Sequence, residues 1–282
     1  MIHYKKLFLG FCTLLITMST INSQNLLDYE NSRKFADYLF QTRQFELAAT
    51  EFERVIFLEP DDTLAKLKLI RSYRYLTDNE YALARFKTLV RDDFVNMSKD
   101  FSDEYVQILI SLGQYDNSLG FLKDSRLLGK STKAEYQLGV FMLQHKWHEA
   151  REFAEYHADL LDKSSKFNDL NTLSKDGINI RYKNAFLAAS FSAVVPGSGK
   201  LYTGRWKDAI FSFLFVTSAS WLSYRSISND GLKTSGIVFG SVALGFHAAN
   251  IYGSAKSARM FNDNINLSMD KRVGEILTRG PE

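Results

Sequence analysis

Two groups of residues in this chain invite a catalytic or ligand-binding interpretation. His145, His148 and Glu149 are close enough to share a helix face, but no further cysteine or carboxylate–histidine set completes a metal site. Residues 197–200, Gly-Ser-Gly-Lys, end like a phosphate-binding loop. Such a loop also needs an earlier glycine and a later serine or threonine, and those positions hold Val194 and Leu201. The sequence therefore predicts no metal, no cofactor and no bound nucleotide.

An enzyme is the next class to consider. A hydrolase built on His145 or His157 would need a nucleophile–base motif or two carboxylates in a recognisable setting, and the sequence shows neither. We therefore predict that the chain is not an enzyme. Its informative residues are expected to bind partners or to position helices.

A basic stripe is the strongest candidate for binding. Lys68, Arg71 and Arg74 recur at helical spacing, with Tyr75 at one edge. Cationic side chains spaced in this way suit a carboxylate or an acidic peptide segment. The alternative is a solvated helix face that carries charges of both signs.

The basic stripe lies within a repeat whose period is near thirty-four residues. A shift of this length aligns a small position and two apolar positions of consecutive copies: Ala48 with Ala82, Phe52 with Phe86 and Val55 with Leu89. The preceding segments align in the same register: Phe35 with Leu69, Ala36 with Ile70 and Leu39 with Tyr73. Weaker copies at 113–122 and 147–154 follow at spacings of thirty-six and thirty-two. Each copy is typical of two antiparallel helices that cross at a small residue.

This pattern resembles the tetratricopeptide repeat over roughly residues 29–163. The resemblance implies four helix pairs in a right-handed superhelix, with a groove lined by the first helix of each pair. It places partner contacts at Lys34 in the first repeat and at Lys68, Arg71, Arg74 and Tyr75 in the second. The third repeat instead offers acidic side chains: Asp100, Asp103 and Glu104. The groove is therefore predicted to be positive early and negative later, which would orient an extended peptide.

The charge of the chain is unevenly distributed. The formal charge of +3 divides into +2 over residues 1–23, −3 over 24–184 and +4 over 185–282. Because the large middle region is mildly acidic, no nucleic acid is expected as a partner. The basic excess lies beside apolar segments, which favours anionic lipid headgroups.

Residues 1–23 have the layout of a secretory signal peptide. Lys5 and Lys6 precede twelve mostly apolar residues, and Ser23 is the predicted last residue before cleavage. The apolar stretch is shorter than the ~20 residues of a spanning helix, and an uncleaved anchor is the alternative. Cys12, the single cysteine, lies inside this stretch, so no disulfide framework is expected.

The second half of the chain is predicted to enter a membrane. A polar linker or cap at 164–184 separates the repeats, 24–163, from a membrane domain at 185–262, and a polar tail covers 263–282. The domain has an interfacial helix that ends at Pro196, followed by uncharged runs of sixteen and twenty-two residues that begin at Ala209 and Thr234. The longer run can span, and the shorter reaches ~24 Å. A buried hairpin in a soluble helical domain is the alternative.

A glycine–aromatic turn opens this hairpin: Pro196, Gly197, Gly199, Tyr202 and Gly204. The turn and the two helices after it resemble the TM2 type of small membrane domain, and also the membrane ends of exported bacterial repeat proteins. Within the hairpin, Gly236 and Gly240 are predicted to pack closely against the partner helix. His247 and Asn250 are predicted to face that helix or the glycine turn.

The sequence thus predicts an all-α protein, a tetratricopeptide-type array followed by a small membrane hairpin. We expect a membrane-tethered scaffold in a bacterial cell envelope, with periplasmic repeats that bind a protein or peptide in envelope assembly or secretion. The alternative is a hairpin that binds lipid or forms homo-oligomers, with the repeats as a regulatory arm. The basic residues beside the hairpin favour cytoplasmic outer ends, whereas a signal peptide exports the repeats. We follow the signal peptide, and the orientation and the identity of the membrane stay open.

Overall fold

The computed structural model describes residues 28–90, 98–230 and 234–278, which contain thirteen α-helices, one 3₁₀ turn and no strand. The all-α prediction is confirmed. The helices are α1 (Tyr29–Gln41), α2 (Phe45–Leu58), α3 (Thr63–Tyr75), α4 (Asn79–Leu89), α5 (Lys99–Ser111), α6 (Tyr115–Asp124), α7 (Lys130–Leu143), α8 (Trp147–Tyr156), α9 (Ser165–Ile178), α10 (Ala185–Val194), α11 (Ser198–Tyr202), α12 (Trp206–Asp230) and α13 (Thr234–Thr278). The predicted signal peptide, including Cys12, lies outside the described residues.

The chain divides into two compact units, residues 1–129 and 130–282. Helices α1 to α6 belong to the first unit and α7 to α13 to the second. This boundary lies inside the predicted repeat array, so the two helices predicted as the fourth repeat, α7 and α8, belong to the second unit.

Four turns of the same form join α1 to α2, α3 to α4, α5 to α6 and α7 to α8. Each contains one residue with a left-handed backbone: Arg43, Thr77, Gly113 and His145, with φ from 56° to 67°. In each turn, the amide of the next residue donates to the carbonyl five residues earlier, as Gln44 does to Leu39 at 2.9 Å. This bond satisfies a carbonyl that the end of the first helix leaves free. The four left-handed residues stand 34, 36 and 32 apart, so the sequence period recurs in the backbone.

The cores of the first unit are formed by the residues that define the repeat. Ala48, Phe52 and Val55 are fully buried in one cluster, and Ala82 and Phe86 are fully buried in the next. Phe35 is the exception, since it is 51% exposed whereas its repeat equivalent Leu69 is fully buried. The reason is that α3 packs against α2 of the preceding pair, whereas no described helix precedes α1.

The last part of α13 packs against the helices that open the second unit. Met269, Val273 and Leu277 are buried, and Leu277 fills the space over Gly139 of α7, where an added Cβ would come within 2.7 Å of its Cδ1. The segment 263–278, predicted as part of a polar tail, is thus helical and carries buried apolar residues. Within the predicted linker, residues 165–178 form α9.

The same long helix also forms the hairpin. Its first part lies against α12, and both α10 and the short α11 pack on it. Hydroxyl groups join these elements: Ser192 to Ser254 at 2.7 Å and Thr203 to Ser257 at 2.7 Å. Lys183, just before α10, exchanges two hydrogen bonds with Asn262 of α13, at 2.8 and 3.0 Å. One helix of 45 residues therefore organises the second unit.

Candidate functional site

The basic stripe on α3 is paired with a buried carboxylate on α5. Glu104 is 0% exposed, and its Oε2 accepts a hydrogen bond from Nε of Arg71 at 3.0 Å. Nε of Arg74 donates to the other oxygen, Oε1. A carboxylate buried in this way is stabilised by charged donors on both of its oxygens. Glu104 therefore lies between the two arginines, and does not form part of a separate acidic end of a groove.

Similar contacts between charged side chains link α3 and the residue before it to α1. Nζ of Lys68 on α3 donates to Oδ1 of Asp37 on α1 at 2.7 Å. Asp62 caps α3 by accepting from the amide of Ala65 at 2.9 Å, and its second oxygen accepts from Arg33. Together with the Glu104 contacts, these pairs form a charge ladder between α1, α3 and α5.

Three of the predicted partner-binding residues thus belong to the charge ladder: Lys68, Arg71 and Arg74. Lys34 does not, because its side chain is 75% exposed and its nearest carboxylate, Glu30, lies 3.6 Å away on the same helix. In the ladder, four cations (Arg33, Lys68, Arg71 and Arg74) face three carboxylates (Asp37, Asp62 and Glu104), which leaves a net charge of +1. The surface is therefore mainly self-neutralised, with one excess cation.

Tyr75 closes the end of the stripe with an aromatic cluster. Its ring lies 4.7 Å from the ring of Phe45 and 6.0 Å from that of Phe40. The Arg74 guanidinium carbon lies 4.7 Å from the centre of the Tyr75 ring, a cation–π geometry. Because Tyr75 remains 45% exposed, it presents an aromatic surface beside a paired arginine.

Burial and charge shift several pKa values in this region. For Arg74, burial lowers the pKa and the Glu104 carboxylate raises it, with a net rise. Burial, assisted by the charge of Glu53, raises the pKa of Tyr73 to about 12. Burial also raises the pKa of Tyr105. The arginine therefore stays charged, and both phenols stay neutral, throughout the physiological range.

The glycine–aromatic turn is built on two close backbone approaches. Gly197 has φ of 89°, and an added Cβ would lie 2.3 Å from the carbonyl oxygen of Ala209. A Cβ on Gly199 would lie 1.8 Å from the carbonyl oxygen of Ala188. Tyr202 packs its ring against Phe191 at 5.6 Å. Gly204 has φ of 82° with open space around it, so its role is conformational only.

The hairpin glycines lie against α12. A Cβ on Gly236 would meet Ile227 at 2.8 Å, and one on Gly240 would meet Oγ of Ser223 at 2.9 Å. Ser223 also donates to the carbonyl oxygen of Gly236 at 2.8 Å. Gly236 and Gly240 of α13 therefore pack against α12 of the same chain.

The two polar residues of the hairpin differ in their partners. Nε2 of His247 lies 3.2 Å from the carbonyl oxygen of Ala193 on α10, next to the glycine turn. Asn250 is only 5% exposed, and neither its Oδ1 nor its Nδ2 has a hydrogen-bond partner among the described residues. A buried amide without a hydrogen-bond partner lowers the stability of the fold, so the space around Asn250 is a candidate binding site.

Large apolar side chains cover the outside of the hairpin. Those at least half exposed on α10 to α12 and on residues 234–255 of α13 are Phe186, Val194, Leu201, Trp206, Ile210, Phe211, Leu214, Trp221, Tyr224, Ile237, Val238, Leu244 and Tyr252. By length and composition, α13 can cross a membrane, and its most apolar window is only 17% buried. Across the described part of the chain α13 alone meets this criterion, so the spanning of α12 stays a prediction.

The residues first considered for metal binding occupy the last of the four repeat turns. Nε2 of His145 lies 3.0 Å from Oδ1 of Asp270 on α13, and Trp147 packs against Gly177 of α9, where a Cβ would lie 2.2 Å from its ring. In the described ranges no group of three or more His, Cys, Asp or Glu side chains is arranged to hold a metal.

Sequence reasoning missed the counter-ions of the stripe. Glu104 lies 33 residues after Arg71, and Asp37 lies 31 residues before Lys68. Both separations are close to one repeat, so applying the repeat period to charged residues would have paired them. The serines that join α10 to α13 gave no comparable signal.

No protein-family model, curated protein or solved structure matches the chain.

Proposed function

We propose that this chain is a membrane-anchored scaffold whose tetratricopeptide-type repeats bind another protein through the exposed faces of their first helices. The single observation that supports the proposal best is the apolar exterior of the hairpin in a chain whose other unit is a charged, ion-paired helical array. Exposed apolar surface of this extent is stable in lipid and marks an interaction site in water. The repeats would then act at a membrane surface.

The membrane half of the proposal is supported by side-chain chemistry along α12. Trp206 and Lys207 begin the helix, and Trp221 and Tyr224 follow near its end, all exposed. Aromatic residues of this kind concentrate at membrane–water interfaces. Between them, the exposed residues are apolar or small: Ile210, Phe211, Phe213, Leu214, Thr217, Ser218 and Ser220. In this proposal α12 and α13 both cross the bilayer, and the repeats lie in the periplasm after cleavage of residues 1–23.

The binding half is supported by the charge ladder. Arg71 uses Nε for Glu104, and its side chain remains 30% exposed. Its two terminal nitrogens have no partner within the residues that the structure describes. A guanidinium fixed through one nitrogen is preorganised to offer the other two to a carboxylate. With the excess positive charge and the exposed Tyr75 ring nearby, the surface suits an acidic peptide segment that carries an apolar side chain.

Site-specific photo-crosslinking of the full chain in cells tests this assignment. A photoreactive amino acid at Lys34 or Tyr75 lies on the first-helix face, whereas one at Lys87, an exposed residue of the second helix α4, serves as a matched control. We expect positions 34 and 75 to capture the same protein through an acidic segment, and position 87 to capture none. Equal capture from all three positions, or none from 34 and 75, would contradict the proposal.

A hairpin that acts mainly by self-association is supported less well. Gly236 and Gly240, which could allow close packing of a second hairpin, both lie against α12 of the same chain. A second hairpin would therefore have to dock on another face.

A further inference from the structure

A small, mainly apolar pocket that carries three polar side chains lies inside the hairpin next to the glycine–aromatic turn. It has a volume of about 170 Å³ and is lined by Lys200, Ser212 and Asn250, together with the rings of Phe211, Phe215 and Phe246. Asn250 contributes the buried amide whose oxygen and nitrogen have no partner among the described residues. A buried amide next to open space indicates that something able to hydrogen-bond belongs there.

Lys200 brings a positive charge to this pocket. Its Nζ donates to Oγ of Ser212 at 2.7 Å, and the Ser212 hydroxyl donates in turn to the carbonyl oxygen of Asp208. The Asp208 carboxylate is held by Arg205 at 2.7 Å, and none of the carboxylates in the described ranges forms an ion pair with Lys200. Burial lowers the pKa of Lys200, and the charge of Asp208 partly opposes this shift. Within the described residues, the ammonium group therefore has no carboxylate in direct contact.

An apolar groove continues from this pocket. It runs between α12 and α13, has a volume of about 460 Å³ and shares Phe211 and Phe215 with the pocket. Its far end is formed by Leu222 and Phe239. Phe211 and Leu222 are eleven positions apart, which corresponds to ~16 Å along α12. The groove and the pocket together thus form one elongated site with a charged end and an apolar body.

We propose that this site binds one anionic phospholipid, with its phosphate at Lys200 and Asn250 and one acyl chain along the groove between α12 and α13. The inference rests on the membrane anchoring proposed above. In that arrangement Trp206, which begins α12 six residues before Ser212, marks the headgroup level, and the groove leads away from it toward the bilayer interior. A phosphate accepts hydrogen bonds from the Lys200 ammonium and from Nδ2 of Asn250, while Ser212 holds the ammonium in place, and it supplies the ion-pair partner that Lys200 lacks.

A phospholipid fits better than a purely apolar occupant. An apolar helix or chain in the groove would leave the Asn250 amide unpaired and Lys200 without a counter-ion, at a cost in free energy. A zwitterionic lipid would bring its own positive charge near Lys200. Anionic headgroups should therefore be preferred at equal acyl composition.

Lipid retention by the full chain tests this inference. The chain is purified in a mild detergent, and native mass spectrometry measures the binding of phosphatidylglycerol and of phosphatidylcholine with identical acyl chains. We expect one tightly held phosphatidylglycerol per chain. Lys200→Gln should weaken its binding about tenfold or more, since a charged hydrogen bond is lost. Lys256→Gln, which removes an exposed charge of α13 near the same end, should change it less than about threefold.

A substitution at Asn250 tests the lipid site independently of Lys200. Asn250→Leu should also weaken phosphatidylglycerol binding, with the helical content unchanged. If Asn250→Leu instead raises the melting temperature and leaves lipid binding intact, the amide is only an internal packing defect and the inference is wrong. Equal binding of both lipids, or equal effects of Lys200→Gln and Lys256→Gln, would also overturn it. Flotation of each variant with liposomes separates the two proposals: a chain that does not float contradicts membrane anchoring itself.

Discussion

Nε of Arg71 on α3 donates to the fully buried carboxylate of Glu104 on α5 at 3.0 Å. This bond joins the first helices of two consecutive repeats. Arg74, also on α3, donates to the other oxygen of the Glu104 carboxylate. Arg71 and Arg74, which the sequence predicts as partner-binding residues, therefore also stabilise the packing of the array. Substituting them disturbs both stability and binding, so the two effects need separate measurements.

Removal of the buried carboxylate should destabilise the first unit. Glu104→Ala leaves Arg71 and Arg74 without their counter-ion, and loss of one partner of a buried pair lowers the free energy of unfolding by about 3 kcal/mol. Hydrogen exchange of the α3 and α5 amides in the full chain measures this change. Asp100→Ala, at an exposed position of the same helix, should cost less than about 0.5 kcal/mol. Equal protection in the two variants would show that the ladder adds no stability.

The first unit should lose stability in strongly alkaline solution through Tyr73. Its pKa is raised to about 12 in the folded chain, from an ordinary value of 10.0. The neutral phenol is favoured by the fold, so its contribution is complete below pH 10 and is lost as the pH rises from 10 to 12. Ultraviolet difference absorbance of the tyrosinate, compared between the native chain and Tyr73→Phe, measures the titration. A Tyr73 that ionises together with the exposed tyrosines would contradict this expectation.

Substitutions in the glycine turn should have graded effects. Gly199→Ala places a methyl group 1.8 Å from a backbone oxygen that cannot move away easily, so the turn must distort and the hairpin should assemble poorly. Gly204→Ala meets no atom but strains a left-handed residue, at about 1 kcal/mol. Gly245→Ala, with open space and helical backbone, should be tolerated. Thermal unfolding in detergent should rank the three in this order, and a Gly199→Ala chain as stable as Gly245→Ala would exclude the close approach.

The end of α13 should be needed for the stability of the second unit. Val273 is fully buried, so Val273→Ala removes buried methyl groups and should lower the free energy of unfolding by about 1–3 kcal/mol. Leu267→Ala, at a position 69% exposed on the same helix, should have little effect. Amide exchange in α7 and α9 reports the difference. If both variants behave alike, the segment from residue 263 adds no stability to the second unit and is only the polar tail that the sequence predicted.

The helix pairs of the first unit follow directly from the sequence because the repeat period fixes several contacts at once. Ala48, Phe52 and Ala82 each pack where a thirty-four-residue period places them. The left-handed turn residues were less visible, since Arg43, Thr77 and His145 are not glycine and only hydrogen bonding to the preceding helix requires their conformation.

Contacts between residues far apart in the sequence could not be predicted from the local sequence pattern. Met269, Val273 and Leu277 recur every four residues among polar neighbours, a stripe too sparse to predict a buried face without knowledge of Gly139 across from it. The same holds for the candidate lipid site. Lys200 and Asn250 are fifty residues apart, and only the folding of α11 against α12 and α13 brings both to one pocket.

Tryptophan depth in the bilayer tests the central claim, membrane anchoring by the hairpin, most directly. The chain has three tryptophans, so variants that keep only Trp147, Trp206 or Trp221 can be reconstituted into vesicles of lipids brominated near the headgroup or near the chain end. Trp206 and Trp221 lie ~22 Å apart along α12, and we expect both to be quenched, more strongly by the shallow bromines, with Trp147 unaffected. If Trp206 and Trp221 stay as unquenched as Trp147, the hairpin lies in water and the membrane-anchored scaffold is wrong.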